Sequence, residues 1–413
     1  MRDERSELTR RQLLRGASAG VAAAGLAGCE YKTQLFLLTD APEAKKVEPQ
    51  WSASKVQAYR PLGKTGFNMS DISFGTSGLD DESVARRGLD KGITYFDTSP
   101  DYSKEGSEKT LGRAIKSVPR DKLFLVSKFC TADGHLPSDT PVQGVIAAVE
   151  GSLQRLGTDH LDLVHIHAVD DLNRLMAPNI HEAFDRLKQQ GKVRHLGVSS
   201  HTPNLEKVMS HAVDSGRFDV IMVAYNFKNW PDLSSIFARA KQKGVGVVAM
   251  KTLKGAEHTK LSDFTPTERE SFAQAAFKWV LSNPDVSGLV VSMTSHQHVD
   301  EYLYASGAPL QPEDVALLEK YDRLIASTYC RPGCGDCLDA CPYEVPVNDV
   351  LRYDMYARNY GREKMAMEKY SRLDPARRAD HCAGCGAPCE ARCEWGISIR
   401  ERLVAAHELL RWA

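Results

Sequence analysis

Gly92-Ile-Thr-Tyr-Phe-Asp-Thr-Ser-Pro-Asp-Tyr102 is the stretch on which the reading of the chain turns. Thr94–Phe96 is a short β-branched and aromatic run between Gly92 and the Ser99-Pro100 pair. That is the pattern of a buried strand that stops abruptly. Asp97 falls at the end of the strand and Tyr102 lies in the following loop, ahead of a helical stretch over Ser107–Ile115. A carboxylate and a phenol at the carboxyl end of a strand occupy the place where α/β barrels keep their chemistry. An N-cap aspartate beside a surface tyrosine would look the same locally, so the rest of the chain has to decide.

Outward from this stretch, apolar strand-length runs alternate with helix-period segments. The strand candidates are Ile72–Gly75, Thr94–Thr98, Leu123–Phe129, Leu161–His167, Val193–Ser199, Val220–Tyr225, Val245–Met250 and Leu289–Met293. Between them lie amphipathic segments such as Val142–Leu156, His181–Gln190, Leu233–Lys243 and Glu268–Leu281. Eight strand–helix units in this order predict an α/β fold of the (β/α)8 TIM-barrel type. A doubly wound open sheet is the alternative, but its Gly-x-Gly-x-x-Gly turn after the first strand is missing. In the barrel reading Lys128 ends the third strand and His167 the fourth, so Asp97, Tyr102, Lys128 and His167 converge on one rim. A phenol titrates near pH 10, and an adjacent ammonium held by a carboxylate would favour its ionised form. An imidazole can orient the carbonyl oxygen that such a phenol protonates.

Tyr59-Arg-Pro-Leu-Gly-Lys-Thr-Gly66, Ser73-Phe-Gly-Thr76, Gly92–Tyr102, Ser107–Gly112 and Asp162–His167 together resemble the aldo-keto reductase family, over roughly residues 57–305. The resemblance implies carbonyl–alcohol interconversion, with Tyr102 as general acid or base, Lys128 and Asp97 as its tuning pair and His167 as the orienting residue. His165, at a position where the family is variable, reads as core, and Cys130 as a buried small hydrophobe. The resemblance also implies an NAD(P) site. Gly197-Val-Ser-Ser200 matches the nicotinamide-amide motif, with Ser199 kept and Ser200 replacing Asn; Asn226 follows the sixth strand. Lys251 stands where many members carry the residue after a nicotinamide-stacking aromatic, and it offers only a point charge. Ser292, Thr294 and His298 align with the basic clamp for the 2′-phosphate without supplying Lys or Arg, and Glu301 matches the adenine-side glutamate.

The remaining signals lie at the two ends. Ten cysteines are present and eight of them fall between Cys330 and Cys393. Such clustering in a large α/β chain argues for metal ligation rather than a disulfide framework. Cys330-x3-Cys334-x2-Cys337-x3-Cys341-Pro342 and Cys382-x2-Cys385-x3-Cys389-x3-Cys393 resemble the two-cluster bacterial ferredoxin pattern, each run with one extra residue. There, each run gives three ligands to one [4Fe–4S] cluster and its last Cys to the other. The resemblance therefore implies one cluster on Cys330, Cys334, Cys337 and Cys393, and a second on Cys382, Cys385, Cys389 and Cys341. Zinc in two four-cysteine sites is the alternative. Helices are expected over Glu313–Ser327, as a pair within Val347–Arg372, and over Ile397–Leu410.

At the amino end, Thr9-Arg-Arg-Gln-Leu-Leu14 resembles a twin-arginine export signal. It is followed by a small-residue apolar stretch and by Leu26-Ala-Gly-Cys29, which resembles a lipobox. The expected organisation is a signal over 1–29, a tether over 30–58, a barrel over 59–310 and a small helical ferredoxin-like domain over 311–413. A net charge of −1 with no extended basic run excludes a polyanion-binding surface, so no nucleic-acid partner is expected. The expected protein is an exported, periplasmic or cell-surface lipoprotein held to the membrane through Cys29. Its expected partners are a small carbonyl or sugar substrate and a redox protein. The competing reading is an electron-transfer or docking protein whose barrel has lost nicotinamide-dependent catalysis.

Overall fold

The computed structural model describes residues 49–228, 231–253, 271–331 and 334–411. The signal and most of the tether lie outside the described residues. The segment expected to be tether as far as residue 58 is docked from its last ten residues on. A short helix, Pro49–Ser52, buries Trp51, Val56 is also buried, and Ser54 Oγ donates to the carbonyl of Asp300 at 2.6 Å. Apolar side chains at positions 51 and 56 make this docking favourable despite the polar surroundings.

A hairpin of β1 (Tyr59–Pro61) and β2 (Asn68–Ser70) leads into the first barrel strand, β3 (Ile72–Gly75). The others are β4 (Tyr95–Asp97), β5 (Phe124–Lys128), β8 (Leu161–Ile166), β9 (Val193–Ser200), β10 (Val220–Ala224), β11 (Gly246–Met250) and β12 (Gly288–Ser292). All eight pair in parallel and close into a barrel, with β12 returning to β3. A small side hairpin, β6 (Cys130–Thr131) and β7 (Gly134–His135), follows β5. Each barrel strand begins and ends within about one residue of its expectation, because strand ends are set by the Gly, Pro and polar residues that flank these apolar runs.

The barrel interior is a packed core. Tyr95, Phe124, Val126, Leu163, Val220, Met222, Val248 and Val290 fill it, and Leu62 and Met69 of the β1–β2 hairpin close the floor. The period-2 alternation of a strand then carries the inward face up to the rim, from Tyr95 to Asp97, from Val126 to Lys128 and from Leu163 through His165 to His167. The registers agree, with Asp97 beside Val126 and Lys128 beside His165. His165 is fully buried beside Gly197, whose position leaves no room for a side chain: an added Cβ would stand 2.4 Å from the imidazole Nδ1.

Two expectations shift at the carboxyl end. The helix Phe272–Leu281 starts where Ser271 caps it, in a reciprocal pair with Gln274; residues 268–270, also expected in it, lie outside the described residues. The helix Pro312–Ile325 belongs with the barrel, although the second domain was expected to begin at 311. Its Leu318, Tyr321 and Ile325 share a core with Phe272, Ala275 and Ala276. The cysteine-rich domain has its own core, in which Val350, Leu351, Tyr370, Ile399 and Leu403 join the helices Val347–Tyr360, Glu363–Ser371 and Ile399–Leu410. Among the described residues no helix is long and apolar enough to cross a membrane.

Candidate active site

The strand ends bring the expected quartet together. Lys128 Nζ donates to Asp97 Oδ1 at 2.6 Å and to the carbonyl of Thr98 at 2.7 Å, with both side chains almost wholly buried. The ammonium stands 4.8 Å from the centre of the Tyr102 ring, and the His167 ring meets that of Tyr102 edge-on with centroids 6.1 Å apart. Breaking a buried ion pair from one side costs about 3–5 kcal/mol, so Asp97 and Lys128 depend on one another for stability as well as position.

The tuning expected from sequence is not what this arrangement shows. Burial raises the phenol of Tyr102 well above its ordinary range, and the negative charges of Asp97 and Asp101 push the same way. Lys128 faces the ring of Tyr102 and gives its protons to Asp97 and Thr98. Burial also raises the carboxyl of Asp97, against the opposing pull of Lys128. Tyr102 is therefore held as a proton donor. Burial lowers the imidazole of His167 well below its usual range, with the cationic neighbours acting in the same direction, so the ring is neutral and able to donate from one nitrogen only.

Three further groups surround His167. Cys130, which reads as a packing residue in the sequence, sits with its Sγ 3.2 Å from His167 Nδ1. Asp101 Oδ1 lies 3.8 Å from the same nitrogen, and the His135 ring is 4.4 Å from that of His167. Arg174 straps the arrangement, donating to the carbonyls of His167 at 2.6 Å and Leu136 at 3.1 Å. The signal for Cys130 is present in the sequence, since it follows Lys128 by two positions and so continues the inward-facing series.

The cysteine domain lies over this rim. Arg362 donates to the Oγ of Ser77 at 2.9 Å and to its carbonyl at 2.7 Å, Arg372 donates to the carbonyl of Asp133, and Lys104 pairs with Glu368 at 3.3 Å. From the helix Val347–Tyr360, Tyr356 reaches Lys251 at the end of β11, its phenol oxygen 2.6 Å from Nζ. Burial alone would raise this phenol, but Lys251 and Arg352 outweigh it and bring Tyr356 down to about 8. Nothing in the sequence signals this contact, because it joins two domains far apart in the chain.

The profile of the Aldo/keto reductase family matches residues 72–268, the span that carries this quartet. The barrel is similar to those of the aldo/keto reductases, and the chain is an oxidoreductase of that type. It is 28% identical over 281 residues to the L-galactose dehydrogenase of Arabidopsis thaliana, covering 60% of this chain and 87% of that protein. To the D-threo-aldose 1-dehydrogenase of a Pseudomonas species it is 27% identical over 228 residues, 49% and 68% of the two chains. An aldo-keto reductase of Bacillus halodurans in its holo form superposes with a TM-score of 0.52 and 25% identity, over 65% of this chain and 96% of that one.

Within this barrel the expected cofactor residues fall into two groups. Ser199 Oγ accepts the Ala168 amide at 2.9 Å, Ser200 pairs with Thr202, and Asn226 Nδ2 donates to the Lys251 carbonyl at 3.4 Å. Lys251 itself, expected as a point charge for the cofactor, is engaged by Tyr356. Thr294 and His298 bond to one another beyond β12, near Ser292 at the strand's end and Glu301 on the helix His296–Leu303. Among the described residues no hydrogen bond between these side chains joins the two groups.

In the cysteine domain, Cys330, Cys334, Cys337 and Cys393 line one pocket. Cys341, Cys385 and Cys389 are the charge neighbours of Cys382, whose thiol is pushed up to about 12 by burial first and by those sulfurs next. The amides of Val345 and Ala387 donate to the sulfurs of Cys341 and Cys385 at 3.3 and 3.4 Å.

Tyr356→Phe tests the interdomain phenol through pH. A phenol whose folded pKa is depressed to about 8, from about 10 unfolded, adds stability that is full above about pH 10 and is lost as pH falls through about 8. The stability gap between wild type and Tyr356→Phe in urea denaturation is therefore expected to widen from pH 7 to pH 9. A gap independent of pH would show that the phenol stays protonated.

Proposed function

We propose that the chain is an exported oxidoreductase that interconverts a carbonyl and an alcohol on an aldose-type substrate, with electrons carried by two [4Fe–4S] clusters in its cysteine domain. The observation that carries the reading is the convergence of Asp97, Tyr102, Lys128 and His167 on the barrel rim. In the reducing direction Tyr102 gives its proton to the carbonyl oxygen, which His167 orients through a ring N–H, while the two electrons and the hydrogen gained by the carbon would come as hydride from a resident nicotinamide that the clusters would re-reduce. Lys128 stabilises the phenolate left behind, and Asp97 keeps Lys128 charged and in place. The reverse direction uses the same groups, with the phenolate as base. The aldose class rests on the relatives, whose names describe activity on L-galactose and D-threo-aldoses.

The cysteines fit the clusters. Four thiols line one pocket, the other four are charge neighbours in the crossed grouping that the ferredoxin resemblance implies, and backbone amides point at two of the sulfurs. When bound, two one-electron carriers match the two electrons of a carbonyl–alcohol conversion. The residues present fit a nicotinamide less well. Lys251 is committed to Tyr356, and Ser292, Thr294 and His298, at the expected 2′-phosphate clamp, offer no Lys or Arg for the strong bidentate contacts that an arginine makes. Any NAD(P) would be a resident passenger, kept on the protein and re-reduced or re-oxidised by the clusters. The same Lys251–Tyr356 contact favours a second reading, in which the barrel has given up nicotinamide-dependent catalysis and serves as a docking module for a redox protein.

Three outcomes test these readings. Tyr102→Phe is expected to keep the fold and lower turnover of an aldose by about 10²–10⁴-fold, the scale of a lost general acid; wild-type turnover would favour the docking module. Protein purified without oxygen is expected to hold about eight iron atoms, as two [4Fe–4S] clusters require. Bound zinc with no iron after reconstitution would replace the clusters with zinc sites. Export rests on the sequence of residues 1–29. Acylated Cys29 predicts that Cys29→Ser moves the protein from the membrane fraction to the soluble one, and wild type already in the soluble fraction with Met1 intact would remove this part of the proposal.

A further inference from the structure

Beside the catalytic tyrosine, Asp101, Cys130, His135 and His167 bring one carboxylate oxygen, one sulfur and two imidazole nitrogens within 4.8 Å of one another. We infer that these four side chains form a binding site for a zinc-class divalent cation, distinct from the eight cysteines of the carboxyl-terminal domain. The inference stands on the geometry of the four residues and does not require the proposed reaction.

The donor set and its spacing are those of a tetrahedral site. Zinc takes sulfur at about 2.3 Å and nitrogen or oxygen at about 2.0–2.2 Å, so neighbouring ligand atoms are separated by about 3.3–3.6 Å. The two separations around His167 Nδ1 bracket that range, 3.2 Å to Cys130 Sγ and 3.8 Å to Asp101 Oδ1. One sulfur, two imidazoles and a carboxylate suit zinc or cobalt better than magnesium or calcium, which prefer oxygen alone. Asp101 supplies one negative charge for a dication and Cys130 a second once the cation has displaced its thiol proton to solvent, while the nearby Lys128 is already balanced by Asp97 at 2.6 Å.

The site is built by the fold rather than by a chance run of residues. Its ligands come from the loop after β4, from the β6–β7 hairpin and from the end of β8. Cys130 and His135 are directly paired across the hairpin. Arg174 fixes the hairpin to β8 by holding the carbonyls of Leu136 and His167. Ser99 Oγ donates to Asp101 Oδ1, an outer partner of the kind that orients ligating carboxylates. Cys130 and His167 are buried while His135 is exposed, which leaves one side of the site open for a cation to enter.

Ligation at His167 Nδ1 has a consequence for the ring. It places the ring's proton on Nε2, fixing one tautomer and leaving Nε2–H as a donor. A cation here would be a positioning device for His167, holding the imidazole in the form that donates a hydrogen bond to a substrate oxygen.

The test uses the full-length protein purified without oxygen, with iron assayed separately so that the state of the cysteine domain is known. After Zn²⁺ is supplied and excess removed, wild type is expected to retain one zinc per chain, and zinc-edge X-ray absorption to show one sulfur with nitrogen and oxygen ligands. Co²⁺ in its place is expected to give a tetrahedral visible spectrum with a thiolate charge-transfer band. Cys130→Ser is expected to remove that band. His135→Ala, at an exposed hairpin position, is expected to keep the fold and to weaken Co²⁺ binding at least about 100-fold, since loss of even an outer partner costs about 10–100-fold. Iron content is expected to be the same in wild type and both variants. Zinc with a four-sulfur shell, zinc held equally by His135→Ala, or no retained zinc would each overturn the site. Loss of iron would instead count against the cluster reading and leave the zinc result to be judged by its own ligand shell.

Discussion

An ammonium group cannot remain charged inside a barrel without an anion against it, and the Lys128–Asp97 contact meets that requirement at 2.6 Å. Everything at the rim is arranged around this pair. It sets Lys128 beneath the Tyr102 ring, it keeps the ammonium within reach of a phenolate formed during turnover, and it places a fixed negative charge near Tyr102 that disfavours the phenolate at rest. The site is consequently biased towards a protonated phenol, which is the state that a carbonyl-reducing enzyme needs before hydride arrives.

The second organising feature is the cover that the cysteine domain places over the rim. Arg362, Arg372 and Glu368 fasten it to loops of the barrel, and Tyr356 enters the neighbourhood of the quartet with a phenol much more acidic than Tyr102. The two tyrosines have opposite biases, Tyr102 pushed up by burial and Tyr356 drawn down by Lys251 and Arg352. Tyr356 and Tyr360 lie with ring centroids 6.0 Å apart on the same helix. The fusion thus has a structural rationale beyond tethering: the second domain supplies side chains to the first domain's site.

How much of this could be read from the sequence differs from residue to residue. The eight strands, the barrel class and the quartet were legible because each depends on local pattern. Apolar runs bounded by Gly and Pro define the strands, and the period of two then carries Asp97, Lys128 and His167 to one rim. Cys130 obeys the same period two residues after Lys128, so its place at the site was recoverable but was masked by the ordinary burial of cysteine. The docking of the Pro49–Ser52 segment and the allegiance of the helix Pro312–Ile325 to the barrel were not recoverable, since an amphipathic stretch shows that it buries a face without showing which surface receives it.

The sequence by itself determined the order of the strands, the identity of the four rim residues and the two runs of cysteines, all of which are set by short-range spacing. Only the tertiary structure decided what each of those groups does to the others. Lys128 gave its hydrogen bonds to Asp97 and the Thr98 carbonyl, and Lys251 was taken up by Tyr356. Asp101, Cys130 and His135 closed around His167. Charge, burial and hydrogen bonding act through space over a few ångströms, and the chain distance between two residues carries almost no information about whether that space is shared.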